Sequence, residues 1–242
     1  MFHILNILKI IFFLIAYRLI SDISIGTITT NEGYSTVKLT LLQTGNNIVE
    51  CRYYKAEFTD SKAAVIYVGG VGGGWDSPSK ELYPRLSQKL AKENEIDSLR
   101  IRFRYSTDLE ESIVDVLAGI EFLTQKEGIT SIALVGHSFG GAVVISAASI
   151  ASENIVKAVV TLATQSYGTE GVSILKGGNC SILLIHGNSD KVLSPYCSHY
   201  IYNNAHEPKE LVLYDNASHG LDEVADKIFQ KVYEWLLKSL IK

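Results

Sequence analysis

Short apolar runs punctuate this chain, each stopping abruptly at glycine or a polar loop, with amphipathic segments between them. Ala63–Val68, Ile132–Val135, Val156–Ala163 and Ile182–Ile185 are such runs. Their lengths suit strands buried on both faces better than helices. Leu82, Leu86 and Leu90 recur at helical spacing, which predicts a helix over Ser79–Glu93, with Ser77 as its cap and Pro78 at the first helical position. Ile113, Val116, Leu117, Ile120 and Leu123 share one face of a second helix expected over Asp108–Lys126. Further strands are expected at Ser98–Tyr105 and Glu210–Tyr214, and helices at Ser138–Ser152, Pro195–Asn203 and Leu221–Leu240. Strands alternating with helices imply βαβ units and a mainly parallel sheet with helices on both faces. Tyr34–Gln43 and Ile48–Lys55 stand apart as an antiparallel hairpin before the alternation begins.

Composition narrows the functional classes. With 242 residues, 47% hydrophobic and 20% charged, the chain can bury a large core and is not a disordered polymer. No repeat, low-complexity stretch or linker divides it. Lys+Arg 22 against Asp+Glu 26 leaves a net charge of -4, and no basic stripe speaks for nucleic acid. Cys51, Cys180 and Cys197 are too dispersed for a disulfide framework, and the histidines form no HExxH pair, so no metal is implied.

Residues 1–25 form an N-terminal apolar segment distinct from the remainder, 26–242. Met1 to Ile20 reads MFHILNILKIIFFLIAYRLI, but Asn6, Lys9 and Arg18 interrupt it. An uncleaved anchor or interfacial helix, a weak signal peptide, a non-native extension and a cap helix all fit. The chain is expected in the cytoplasm, or held at a membrane through residues 1–20.

The chemistry concentrates in Val135-Gly136-His137-Ser138-Phe139-Gly140-Gly141, which follows an apolar strand and opens a helix. This is G-x-S-x-G in the strand–turn–helix setting the motif requires, with Ser138 lifted on a tight turn as a nucleophile. A serine needs a base, and the base an orienting acid. Asp190 follows the strand within Ile182-Leu183-Leu184-Ile185-His186-Gly187, and His219 follows the strand that ends near Tyr214. Loops at the carboxyl ends of parallel strands share one edge of a sheet, so Ser138, Asp190 and His219 can converge there. Asp215 and Glu170 are weaker candidates for the acid. His186 is expected as a packed or hydrogen-bonded structural histidine, and His199 and His206 as exposed ones.

GHSFGG, HGNSD and SHG, in that order and each after a strand, resemble the α/β-hydrolase superfamily over roughly residues 34–240. The resemblance is to its small lidless serine hydrolases, of dienelactone-hydrolase-like and esterase-like type. It implies an α/β sheet of eight strands, the second antiparallel to the others. Dienelactone hydrolases carry a cysteine where this chain has Ser138, so their lactone chemistry is not carried over. The loop Gly69-Gly70-Val71-Gly72-Gly73-Gly74 resembles the one that supplies half of the family's oxyanion hole. Val71 aligns with that backbone donor, Gly70 is the near alternative, and Phe139 supplies the other half. Gly70 and His137 flank the nucleophile as candidate substrate-binding positions, with the His137 side chain expected to point away from the site.

Arg100, Arg102 and Arg104 alternate along one strand and read as its polar face. In a sharper reading, Arg104 reaches the pocket and favours acidic substrates. Residues 164–181, where many relatives insert a helical lid, are too few and too glycine-rich for more than a turn or two. The expected protein is therefore an open-sited serine hydrolase of an ester, thioester or amide in a small-molecule acyl substrate, with no cofactor. An acyltransferase with the same triad and a non-catalytic binding protein are the alternatives.

Overall fold

The computed structural model describes residues 25–32, 35–44, 47–56, 61–152, 154–175 and 180–241. All but the last residue of the N-terminal apolar segment, and Gly177 and Gly178 of the expected lid position, lie outside them. Nine strands form a single sheet: β1 (Ile25–Glu32), β2 (Ser35–Thr44), β3 (Asn47–Tyr54), β4 (Ala63–Val68), β5 (Ile96–Arg102), β6 (Ser131–His137), β7 (Val156–Leu162), β8 (Ser181–Gly187) and β9 (Lys209–Tyr214). Their spatial order is β1-β2-β3-β5-β4-β6-β7-β8-β9. From β5 to β9 every pairing is parallel, whereas β3 pairs antiparallel with both β2 and β5. Strands β2 to β9 are thus the expected eight, with the second reversed. β1 adds a ninth at the edge, pairing antiparallel with β2 from Ile25↔Leu42 to Glu32↔Ser35.

Alternate residues of the parallel strands feed two cores. Ile66, Leu134, Val159 and Leu184 point to one face, where they meet α2 (Leu109–Glu121), α3 (Phe139–Ile150) and α4 (Tyr196–Asn204). Val65, Val135, Val160 and Leu183 point to the other, under α1 (Pro78–Glu93) and α5 (Ala225–Leu240). Burial on both faces is why these strands read as unbroken apolar runs. Asp108 caps α2, its carboxylate accepting the Glu111 N–H at 3.0 Å. Between β7 and β8 the described residues hold only a 3-10 turn, Glu170–Ile174. Among the described residues no helix is long and apolar enough to cross a membrane.

Two expectations need correction. Pro78 does not lead directly into a right-handed helix: Ser79, Lys80 and Glu81 are left-handed (φ 57, 51 and 60). Such a turn costs about 1–2 kcal/mol per residue in non-glycine positions. It is held by docking onto the segment after His219, with Ser79 N–H donating to Gly220 O at 2.8 Å and Lys80 N–H to Asp222 Oδ1 at 2.8 Å.

Arg104, in turn, does not serve the pocket. Its side chain is 8% exposed and binds Asp115 through Nε and Glu111 through Nη2, both residues of α2. Its neighbours diverge: Arg102 is exposed and paired with Glu50, while Arg100 is buried and donates to Trp75 O at 2.7 Å. Burial pushes the Asp115 carboxyl up to about 6 even with Arg104 bound to it. Arg104→Ala strands that buried carboxyl, and is expected to cost about 3–5 kcal/mol at pH 8. The loss should be smaller at pH 5, where Asp115 takes up a proton and the uncompensated charge disappears. Urea denaturation at the two pH values checks this; equal losses would contradict it.

Candidate active site

The site is assembled at the carboxyl edge of the sheet, from the ends of β4, β6, β8 and β9. β6 ends at His137 and α3 begins at Phe139, so Ser138 takes the whole reversal. Its backbone lies at φ 54, ψ -119, a region that non-glycine residues rarely enter. Its neighbours hold the strain in place: Ser138 N–H donates to Leu162 O at 2.8 Å, and Ser138 O accepts from Gly141 N–H at 3.1 Å and Thr164 Oγ1 at 3.2 Å. The turn closes only because residue 136 is glycine. A Cβ there would sit 2.2 Å from the Gly140 carbonyl oxygen.

β8 runs into the loop that carries Asp190, whose side chain is fully buried. The Asp190 carboxylate gathers four donors. Val192 N–H and Leu193 N–H reach Oδ1 at 2.7 and 2.9 Å. His219 Nδ1 lies 2.7 Å and His186 Nε2 3.2 Å from Oδ2. Burial works to raise the Asp190 pKa, but the Leu193, His219 and Val192 hydrogen bonds outweigh it and hold the carboxyl below its ordinary value. An ionised acceptor facing His219 Nδ1 makes that nitrogen the donor, so Nε2 carries the lone pair of the neutral ring.

His186 does more than pack. It is buried, and burial lowers its pKa. Its Nε2 also contacts the Leu193 carbonyl at 3.1 Å, so Nε2 must carry the proton, and Nδ1 accepts from Ser198 Oγ at 2.8 Å. His186 thereby buttresses the acid from behind, and the strand-end HG pair that precedes the acid is its only sequence signal. Asp215, the rival acid, accepts from Asn188 Nδ2 instead.

His137 does not point away from the site. Its ring packs on that of His219, centroids 4.9 Å apart, and its Nε2 lies 3.0 Å from the His219 carbonyl oxygen. This contact sets the base beside the residue that precedes the nucleophile. No hydrogen bond joins Ser138 Oγ to His219 among the described contacts; in unliganded hydrolases that bond commonly tightens only with substrate.

Opposite the elbow, the glycine loop makes a tight turn, Gly73 N–H donating to Gly70 O at 3.2 Å. Ser106 Oγ donates to Val71 O at 2.9 Å, and Gly70 N–H is directed at Asp76 Oδ2, 3.3 Å away. Gly70 is therefore engaged elsewhere, whereas the Val71 N–H has no hydrogen-bond partner among the described residues. Phe139 is buried at the first position of α3, its ring edge-on to Phe103 at 5.9 Å.

A family model described as the alpha/beta hydrolase fold matches residues 63–177, from β4 through the elbow to the segment after β7. The fold is that of the α/β hydrolases. Solved structures agree in architecture at low identity. An acetyl xylan esterase from Paenibacillus sp. R4 is 14% identical with a TM-score of 0.73, covering 93% of this chain and 93% of that one. A dienelactone hydrolase from Anabaena variabilis is 16% identical with a TM-score of 0.71, covering 89% of this chain and 99% of that one. XC6422 from Xanthomonas campestris, described as an α/β serine hydrolase without lid, is 16% identical with a TM-score of 0.64, covering 92% and 97%. No curated protein matches the chain. Within the α/β-hydrolase frame, Ser138, Asp190 and His219 fall after β6, β8 and β9.

Proposed function

We propose that this α/β hydrolase cleaves carboxylic esters through an acyl-enzyme on Ser138. The carrying observation is the Asp190–His219 pair, with its buried carboxylate, packed against His137, the residue before a serine held at a strained strand–helix reversal. Esterases among its structural neighbours support ester over thioester or amide. In the first step His219 Nε2 takes the Ser138 proton as Oγ attacks the ester carbonyl. The Phe139 and Val71 N–H groups receive the oxyanion, whose charge the N-terminus of α3 also favours. His219 then returns the proton to the leaving alcohol. A water molecule, activated by the same Nε2, releases the acid. No lid helix stands between β7 and β8 among the described residues, so the site opens directly to solvent, which suits short or polar acyl groups and resolution by water rather than by a second alcohol.

The test is chemical. The purified protein is expected to hydrolyse p-nitrophenyl acetate and butyrate well and the palmitate ester poorly. A fluorophosphonate probe should leave its adduct on the peptide containing Ser138, read by mass spectrometry. Failure of the folded protein to label would favour the non-catalytic reading, and a preference for palmitate would contradict the open short-chain site.

A further inference from the structure

A second carboxylate–histidine pair lies against the first. Asp76, on the segment between the glycine loop and α1, places Oδ2 3.5 Å from His137 Nδ1 and 3.3 Å from Gly70 N–H. Nδ1 is buried and makes no hydrogen bond among the described residues; the carboxylate faces it across 3.5 Å, an ion pair only when both ring nitrogens carry protons. Through Nε2, the only nitrogen able to donate to a carbonyl here, His137 holds the His219 main-chain oxygen at 3.0 Å. His137 thus ties the nucleophile's segment to the base through Nε2, and with a second proton on Nδ1 it also pairs with Asp76, which holds the glycine loop through Gly70 N–H. Asp76 can come this close only because residue 69 is glycine: a Cβ there would lie 2.9 Å from Asp76 Cβ. His137 touches the backbone of the base and the ring face that limits how His219 can rotate.

We propose that Asp76 and His137 are positioning residues, which set the height and orientation of His219 over Ser138 and join the glycine loop to the same frame. The proposal rests on the esterase reading given above for its effect on rate, though not for the clamp itself. A base displaced by about 1 Å can cost about 10²-fold in rate. His137→Leu removes the donor and keeps an apolar body against His219. His137→Gln restores an N–H at the same number of bonds from the backbone. Asp76→Asn keeps size and removes the charge.

The experiment measures three things on wild type and these variants: kcat and KM for p-nitrophenyl butyrate, the melting temperature, and backbone hydrogen exchange over residues 216–222. His137→Leu and Asp76→Asn are expected to lose 10- to 100-fold in kcat with KM within about threefold of wild type. Exchange in the His219 segment should accelerate in both. His137→Gln should recover kcat to within about threefold of wild type and restore slow exchange. A purely structural role would lower the melting temperature of all three without this split or rescue. Unchanged kcat, or unchanged exchange, in folded His137→Leu would overturn the proposal. If wild type itself neither turns over ester nor labels at Ser138, the esterase reading falls. The exchange data then still report whether the clamp holds the loop.

Discussion

Ser138→Ala is expected to lower kcat for p-nitrophenyl butyrate by about 10⁶-fold. The loss is that large because serine, histidine and aspartate act as one unit: without the nucleophile, the proton acceptor and its orienting acid have nothing to activate. Binding groups and backbone donors remain, so a residual acceleration of about 10³-fold over water is expected to survive. The variant should fold. Ser138 is held by its main-chain N–H and C=O, and alanine keeps both. Alanine does not relieve the strain at φ 54 either, so thermal stability should stay close to wild type. Stopped assays at high enzyme concentration, with melting curves recorded alongside, check both halves. Turnover within tenfold of wild type in a folded Ser138→Ala protein would remove Ser138 from the chemistry.

Asp190→Asn is the second large effect, about 10⁴-fold in kcat. The amide keeps the size of the side chain but presents an N–H where His219 Nδ1 needs an acceptor. His219 then turns to the other tautomer, with its proton on Nε2, and cannot take one from Ser138. The same substitution has a separate signature in stability. The Asp190 carboxyl is held below its ordinary pKa, so it stabilises the folded state above about pH 4, where the unfolded carboxyl ionises. That contribution disappears as the pH falls through the folded value. His186 acts with the same sign: its lowered pKa costs stability as the pH drops below about 6.5, where the unfolded ring takes up a proton. Acid titration of Asp190→Asn should therefore show a smaller loss below about pH 4, where Asp76 still contributes, and keep the step that begins near pH 6.5. Retention of kcat would show that Asp190 is not the orienting acid.

The elbow was legible because its requirements are local. An apolar strand, a glycine on each side of Ser138 and a small-residue helix leave few other conformations, and the strand–loop positions of Asp190 and His219 follow from the same alternation. What escaped the sequence depends on contacts between distant segments. Asp76 sits in Gly-Gly-Trp-Asp-Ser-Pro, which reads as an ordinary turn, and only the fold reveals that its carboxylate faces His137. Ser77-Pro78 looked like a simple helix start because the left-handed turn that follows is fastened from Gly220 and Asp222, far along the chain. The pocket-facing alternative for Arg104 fails for the same reason: its partners lie on α2, and strand position alone points it at the pocket edge. β1 carried little signal: in Ile25–Glu32 neither alternate set of residues is consistently apolar, so only the pairing with β2 marks it as a strand.

The placement of β9 at the far edge of the sheet also sets an order in time. Ribosomes deliver the amino-terminal side first, and domains close as their parts emerge. The elbow, the core layer under α2, α3 and α4, and the Asp190 loop all emerge before Lys209–Tyr214 can add to β8, whereas α5 of the other layer follows it. On the esterase reading, the growing chain carries Ser138 without its proton acceptor until that last strand docks and brings the His219 loop across. On that reading, activity is expected only once β9 and the loop that follows it are in place.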